Sequence, residues 1–219
     1  MSETSQNPSS EASSSEALNK NVLDNDDNLR YANPIKRGGV MTSGLEYAKH
    51  KAKISITGGS SYKRKMLKRA ARWMLGYALG TRLANNITLK IRIDESLVNT
   101  RFYGSVIWED DNHRPRSYDM ELCNYLTDRT LYKVLAHEVV HIRQYATGDL
   151  KDLATQANYC KWKNKLVQSE GKGRISYFKL PWEIEARRDQ EVILREWKEA
   201  HGYHFRQKTG ELYSERNNL

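Results

Sequence analysis

Residues 127–148 read Thr127-Asp128-Arg129-Thr130-Leu131-Tyr132-Lys133-Val134-Leu135-Ala136-His137-Glu138-Val139-Val140-His141-Ile142-Arg143-Gln144-Tyr145-Ala146-Thr147-Gly148. Leu131, Val134, Leu135, Val139 and Ile142 recur at helical period, Thr127 or Asp128 is suited to cap the start, and Gly148 is a natural stop. The spacing predicts a helix over about 128–147. On that helix His137 and His141 are one turn apart on the same face, so both imidazoles can reach a single ion such as Zn2+. Glu138 stands beside the first imidazole, where a carboxylate can take a proton from a water and return it to a leaving group. Two imidazoles and a carboxylate in the interior of an amphipathic helix are costly to bury unless they have partners.

Upstream, Ile87, Leu89, Ile91 and Ile93 alternate with Thr88, Lys90 and Arg92, the period of a half-buried strand. A second strand is predicted from Phe102 to Trp108 and a third from Arg116 to Leu122, joined as a hairpin through Asp110-Asp111-Asn112. In the third, Tyr118, Met120 and Leu122 share one face and Ser117, Asp119 and Glu121 the other, as in a strand packed on helices. Downstream, Asp149 to Lys179 is less regular, with Gly171 and Gly173, and Pro181 suits the first position of a last helix over about 181–201. Strands followed by helices make an α+β domain, with the sheet over about 87–122.

The 219 residues carry a formal net charge of +9, unevenly spread. Residues 1–30 hold six acids against Lys20 and Arg30 and almost no aromatic surface, the composition of a disordered tail. From Tyr47 to Ile93 there is no acid, and a basic helical region is predicted over about 47–84. Within it Ser61 to Leu83 reads as a helix with Tyr62, Met66, Ala70, Trp73 and Tyr77 near one face. Lys63, Arg64, Lys65, Lys68, Arg69 and Arg72 decorate its first half, a surface suited to phosphate, with Trp73, Tyr62 or Trp162 as bases' stacking partners. The commoner meaning of such a run is a solvated helix face. Cys123 and Cys160 form no Cys-x-x-Cys pair and are expected to be reduced and structural. No apolar run approaches the ~20 residues of a membrane span, nor is there a basic start with an apolar stretch behind it. The expected location is cytoplasmic. His50, His113 and His201 default to solvated or structural roles.

The histidine motif, together with Glu183-Ile184-Glu185-Ala186 beginning 42 residues after His141, resembles the zincin superfamily of metallopeptidases. The likeness covers roughly the latter half of the chain. It implies a short antiparallel sheet, an active-site helix and a following ligand-bearing helix, with domain limits of about 31–219. In the metzincin branch a Gly and a third His follow the motif at positions that here hold Gln144 and Thr147, so that branch does not fit. In the gluzincin branch the third ligand is the first Glu of a Glu-x-x-Ala pattern. The resemblance therefore implies zinc held by His137, His141 and Glu183, with Glu138 activating the metal's water for attack on a peptide bond.

Glu185 is the rival third ligand, in which case Asp189, one turn on, could orient a histidine. Asp149 and Asp152 are weaker, aspzincin-like alternatives. Leu180-Pro181-Trp182-Glu183-Ile184-Glu185-Ala186-Arg187 is also similar to small single-domain metallopeptidases of bacteriophages, which would place the protein in a host cytoplasm. SprT-like proteases at protein–DNA crosslinks are a more distant likeness: the basic region fits, but their third ligand is a His and none lies between His141 and His201. By resemblance the stretch from Arg116 to Leu122 is expected to be an edge strand that receives a peptide substrate. Tyr177, Tyr203, His204 and Arg143 are candidate donors to a carbonyl oxyanion, none of them favoured. A metal-binding scaffold without catalysis is the third class of function left open.

Overall fold

The protein is described by a computed structural model in residues 46–94, 103–110, 112–153, 158–169 and 176–201. The expected tail over residues 1–30, Asp111, Gly171, Gly173, Tyr203 and His204 lie outside the described residues. The elements are β1 (Lys53–Gly58), α1 (Ser61–Leu79), α2 (Thr81–Ala84), β2 (Thr88–Asp94), β3 (Gly104–Trp108), β4 (Ser117–Cys123), α3 (Asp128–Thr147), β5 (Leu150–Asp152), β6 (Tyr159–Trp162), β7 (Lys165–Gln168) and α4 (Pro181–His201). Single 3-10 turns precede β1 at Glu46–Ala48 and α4 at Tyr177–Lys179. The architecture is α+β. No helix among the described residues is long and apolar enough to cross a membrane.

Four strands form one sheet in the order β1-β2-β4-β3. β1 pairs parallel to β2 and β2 parallel to β4, whereas β3 runs antiparallel to β4. The sheet is thus mixed, which corrects the expectation of an antiparallel one. The cause is α1: a 19-residue helix between β1 and β2 returns the chain to the starting edge, as a parallel pair requires. β1 is itself a correction to the reading of 47–84 as helical. Its alternation rests on Ile54 and Ile56 alone, against polar Lys53, Ser55 and Thr57, too short a pattern to separate from loop. The expected hairpin is present, with Val106 opposite Met120 and Trp108 opposite Tyr118.

The order also overturns the expected edge position of residues 116–122. β4 is hydrogen-bonded on both sides, and Tyr118, Met120 and Leu122 are fully buried. The edge next to it is β3, whose alternation is weaker and whose Ile107 is 61% exposed.

Leu89, Ile91 and Ile93 of β2 and the apolar set of β4 face α1 and α3, forming the core with Leu67, Trp73, Met74, Leu75, Leu135 and Ile142. Burying a side chain of this size contributes about 1.5–3 kcal/mol, so this layer is the main anchor for α3. The opposite face of the sheet carries cross-strand charges in register, Lys90 opposite Asp119 and Arg92 opposite Glu121. α4 lies along α3, and its Trp197 meets Trp73 edge-on at 5.5 Å.

Strands β5, β6 and β7 form a second, small antiparallel sheet in the stretch that sequence reads as irregular. Lys163 and Asn164 turn its β6–β7 hairpin with φ of 46° and 67°, the left-handed pair of a two-residue turn. Its Trp162 packs 6.3 Å from Trp182 at the start of α4.

Candidate metal centre

Helix α3 begins where the Thr127 side chain accepts a hydrogen bond from the Thr130 N–H and ends at Gly148 with φ 80°. Gly148 donates to the Tyr145 carbonyl and the Arg116 guanidinium to the Ala146 carbonyl, so orphan groups at the end of the helix are satisfied. His137, Glu138 and His141 lie mid-helix, away from fraying ends. Pro181 starts α4 and places Glu183 in its first turn, 3% exposed and facing α3.

His137, His141 and Glu183 converge, and no other such group of potential metal ligands is found among the described residues. The two Nε2 atoms are 3.1 Å apart. Glu183 Oε1 is 3.3 Å from His141 Nε2, and Oε2 is 3.5 Å from His137 Nε2. Ligands about 2.0–2.1 Å from a tetrahedral ion stand ~3.3 Å apart, so these separations fit a zinc-sized ion. Oε2 of Glu183 is buried without a well-formed hydrogen bond, its neighbours being His137 Nε2 at 3.5 Å and Arg187 Nη1 at 3.8 Å, and an ion at the centre of the donors would satisfy it better. Nitrogen, nitrogen and one carboxylate are also the donor set of a catalytic rather than a closed structural site.

The charges around the donors are strongly coupled. Burial disfavours ionised Glu183, but hydrogen bonds with His137, His141 and Tyr177 outweigh it and hold the carboxyl well below its usual range. For His141 burial favours the neutral ring, yet Glu183 and Glu138 reverse the balance and raise its proton affinity. Glu138 is 5% exposed; burial pushes its carboxyl up, and the nearby imidazoles pull against it. A buried carboxylate with raised proton affinity is suited to accept a proton from water near neutral pH.

Each imidazole leans on an amide. Nδ1 of His137 is 3.0 Å from Gln190 Oε1, and Nδ1 of His141 is 2.8 Å from Gln144 Oε1. If each Nδ1 carries the proton, each Nε2 lone pair points into the cluster. Gln190 is absent from the sequence reading and Gln144 enters it only as the residue at the metzincin Gly position, although Gln144 lies three residues after His141 on the same helix face and Gln190 two turns after Glu183.

Glu185 does not join the donors. It accepts from Arg143 at 3.0 Å, Lys163 at 2.8 Å and Gln144 at 3.0 Å. Asp189 accepts from Arg143 at 2.7 Å and from Arg188 at 2.8 Å rather than from a histidine. The arrangement suggested for this pair is therefore replaced by an ionic seam between α3 and α4. Asp149 and Asp152 are outside the donor group, and Asp152 accepts from the Cys160 thiol.

Arg143, committed to that seam, does not face the donors as an oxyanion partner. Tyr177 does reach them: its hydroxyl hydrogen-bonds to Glu183, and burial, then the Glu183 charge, holds the phenol protonated. His50 accepts from Ala52 and donates to the Arg72 carbonyl, and His201 stacks on Trp197 at 3.8 Å. His113 is exposed.

Several residues of the basic stretch serve the fold. Arg72 donates to the His50 and Ala52 carbonyls, Arg64 to Gly58 and Gly59, and Lys63 to Asn124. Trp73 is 1% exposed and cannot stack on a base, and Trp162 packs against Trp182 with Lys163 over its ring. Tyr62, Lys65, Lys68 and Arg69 remain exposed.

Comparison of the chain with protein-family models, with curated proteins and with solved structures finds no match.

Proposed function

We propose that the protein is a zinc-dependent metallopeptidase with a gluzincin-like ligand set. The observation that carries the reading is the convergence of His137, His141 and Glu183 at 3.1–3.5 Å with Glu138 buried beside them. Bound zinc would supply Lewis-acid polarisation of a carbonyl and bring the pKa of a coordinated water to ~7. Glu138 takes the proton of the attacking water and returns it to the leaving amine, the two halves of general acid–base catalysis. Gln144 and Gln190 hold the imidazoles so that their Nε2 atoms remain available. Tyr177, whose hydroxyl reaches Glu183, and Arg187, whose Nη1 lies 3.8 Å from Glu183 Oε2, are the side-chain donors beside the ligand group that suit a developing oxyanion.

Substrate binding is assigned to β3 rather than β4. Among the described residues β3 has no strand on its side away from β4, and β-addition uses such an edge. Gly104 of β3 approaches α3 so closely that a Cβ there would sit 2.5 Å from Val134, which ties the edge to the helix that carries the histidines.

The test is peptidase activity of the zinc-loaded protein on an unfolded protein substrate, wild type against Glu138→Gln. The variant is expected to keep its zinc and lose about 10²–10⁴ of turnover. Zinc binding with no activity, or activity untouched by the substitution, would instead favour a metal-binding scaffold.

A further inference from the structure

The two imidazoles are anchored unequally, and the difference lies in the hydrogen bonds behind them. Gln144 is 0% exposed. Its Nε2 donates to the Trp182 carbonyl at 3.0 Å and to Glu185 Oε2 at 3.0 Å, so both of its N–H groups are spent on acceptors. Turning the amide over would set its carbonyl against a backbone carbonyl and a carboxylate. Oε1 must therefore face His141, and Nδ1 of His141 must be the donor. Glu185 cannot easily give way, because Arg143 and Lys163 hold its carboxylate at 3.0 and 2.8 Å. Lys163 comes from the left-handed turn of the β6–β7 hairpin, and Asp189 shares the same Arg143 Nη2 at 2.7 Å. Behind His137 there is much less. Among the described residues Gln190 Nε2 has only Glu191 Oε1, at 3.5 Å, and Glu191 is itself drawn off by the exposed Lys133.

We propose that Gln144 and Glu185 are positioning residues that keep a proton on Nδ1 of His141 before any ion binds, against the pull of Glu183 Oε1 at 3.3 Å from its Nε2, whereas at His137, where Glu183 Oε2 faces Nε2 at 3.5 Å, the Nδ1–H tautomer is selected only as the ion arrives. The inference rests on the metal reading for its purpose, though not for its first measurement. It assigns a role to the small β5–β7 sheet, which reaches His141 through Lys163, Glu185 and Gln144 in turn. It also accounts for a carboxylate at position 185 that lies two residues after Glu183 and does not touch the donors.

The experiment is nitrogen-detected imidazole NMR on the full chain, zinc-free and at alkaline pH, followed by zinc titration against a chelator. Wild type, Gln144→Met, Glu185→Gln and Lys163→Met are compared, with the backbone spectrum as the check on folding. Expected in wild type are a single Nδ1–H tautomer at His141 and a mixture at His137. In Glu185→Gln the residue opposite Gln144 can donate as well as accept while the Trp182 carbonyl still holds the other N–H, so the Nδ1–H form at His141 should lose part of its excess and a minor second tautomer should appear. Gln144→Met removes the acceptor altogether. Both variants should bind zinc about 10–100-fold more weakly. Lys163→Met, a change at the hairpin tip, should move both quantities the same way by less, and it decides the matter should a core variant fail to fold. A mixed His141 in wild type, or folded variants with an unchanged tautomer and unchanged zinc affinity, would overturn the proposal. A single Nδ1–H tautomer at His141 that Glu185→Gln loosens, in a chain that binds no zinc, would uphold the positioning and reject the metallopeptidase.

Discussion

The molecule holds two networks of charge that look alike on paper and differ in where they sit. One lies between α3 and α4, where Arg143 joins Glu185 and Asp189 with side chains 6%, 12% and 3% exposed. The other lies on the open face of the four-stranded sheet, where Lys90 meets Glu109 at 2.7 Å and Arg92 meets Glu121, the cations 54% and 60% exposed. Removing one partner of a buried pair strands a charge, whereas a solvated pair is replaced by water at little cost. The first network therefore fixes the geometry of the site, and the second keeps a sheet face wet and discourages wrong pairing.

The sharpest way to break that comparison is Arg143→Met. It leaves Glu185 to Lys163 and Asp189 to Arg188, both more exposed cations than Arg143, and unfolding in urea should show a loss above about 1 kcal/mol, up to the ~3–5 kcal/mol of a fully stranded buried charge. A change below about 1 kcal/mol would place the seam in the same class as the surface pairs.

Zinc should reinforce the seam from the other side. At a free concentration one hundred times its dissociation constant, a ligand that binds only the folded state adds about 2.7 kcal/mol. The melting temperature should therefore rise with zinc in wild type and stay flat in His137→Ala.

Acid should separate the networks next. Burial opposes ionised Glu185, but Arg143, Lys163 and Gln144 outweigh it and lower its pKa. A folded-state pKa below the unfolded value means stability that is fully present above about pH 4.3 and is lost as pH falls through the folded value. Glu185→Gln should flatten the acid limb of stability against pH in the metal-free protein, and an unchanged limb would contradict the assignment. On the open face the shifts oppose one another: the Lys90 hydrogen bond lowers Glu109, while burial and Glu109 raise Asp119.

The smallest effect belongs to Lys90→Ala. Its change in stability should be the least of the series, because both partners are solvated, and should shrink further in high salt. A larger, salt-insensitive loss would mean that the open face is not solvated.

The same contrast explains how far sequence could be read. Helix α3 and the strands β2, β3 and β4 were legible because each has enough alternating or helical apolar positions for the period to show. β1 was not, since Ile54 and Ile56 are too few, and neither was the order β1-β2-β4-β3, because nothing local states which strand ends beside which. That non-local fact decides which strand offers an edge. That His137 and His141 share a face followed from helical spacing, whereas Glu183 was expected beside them only through the resemblance to gluzincins. The choice against Glu185 needed Arg143, Lys163 and Gln144 in three dimensions, as Glu183 and Glu185 are alike in type and neighbourhood along the chain. The small β5–β7 sheet escaped notice because strands of three or four residues carry almost no periodic signal.

The most direct measurement is the zinc content of the purified protein by elemental analysis, wild type beside Glu183→Gln. One zinc per chain in wild type and none in the variant is the predicted result. A wild type without zinc after reconstitution, or a variant that keeps its full complement, would contradict the assignment of this site.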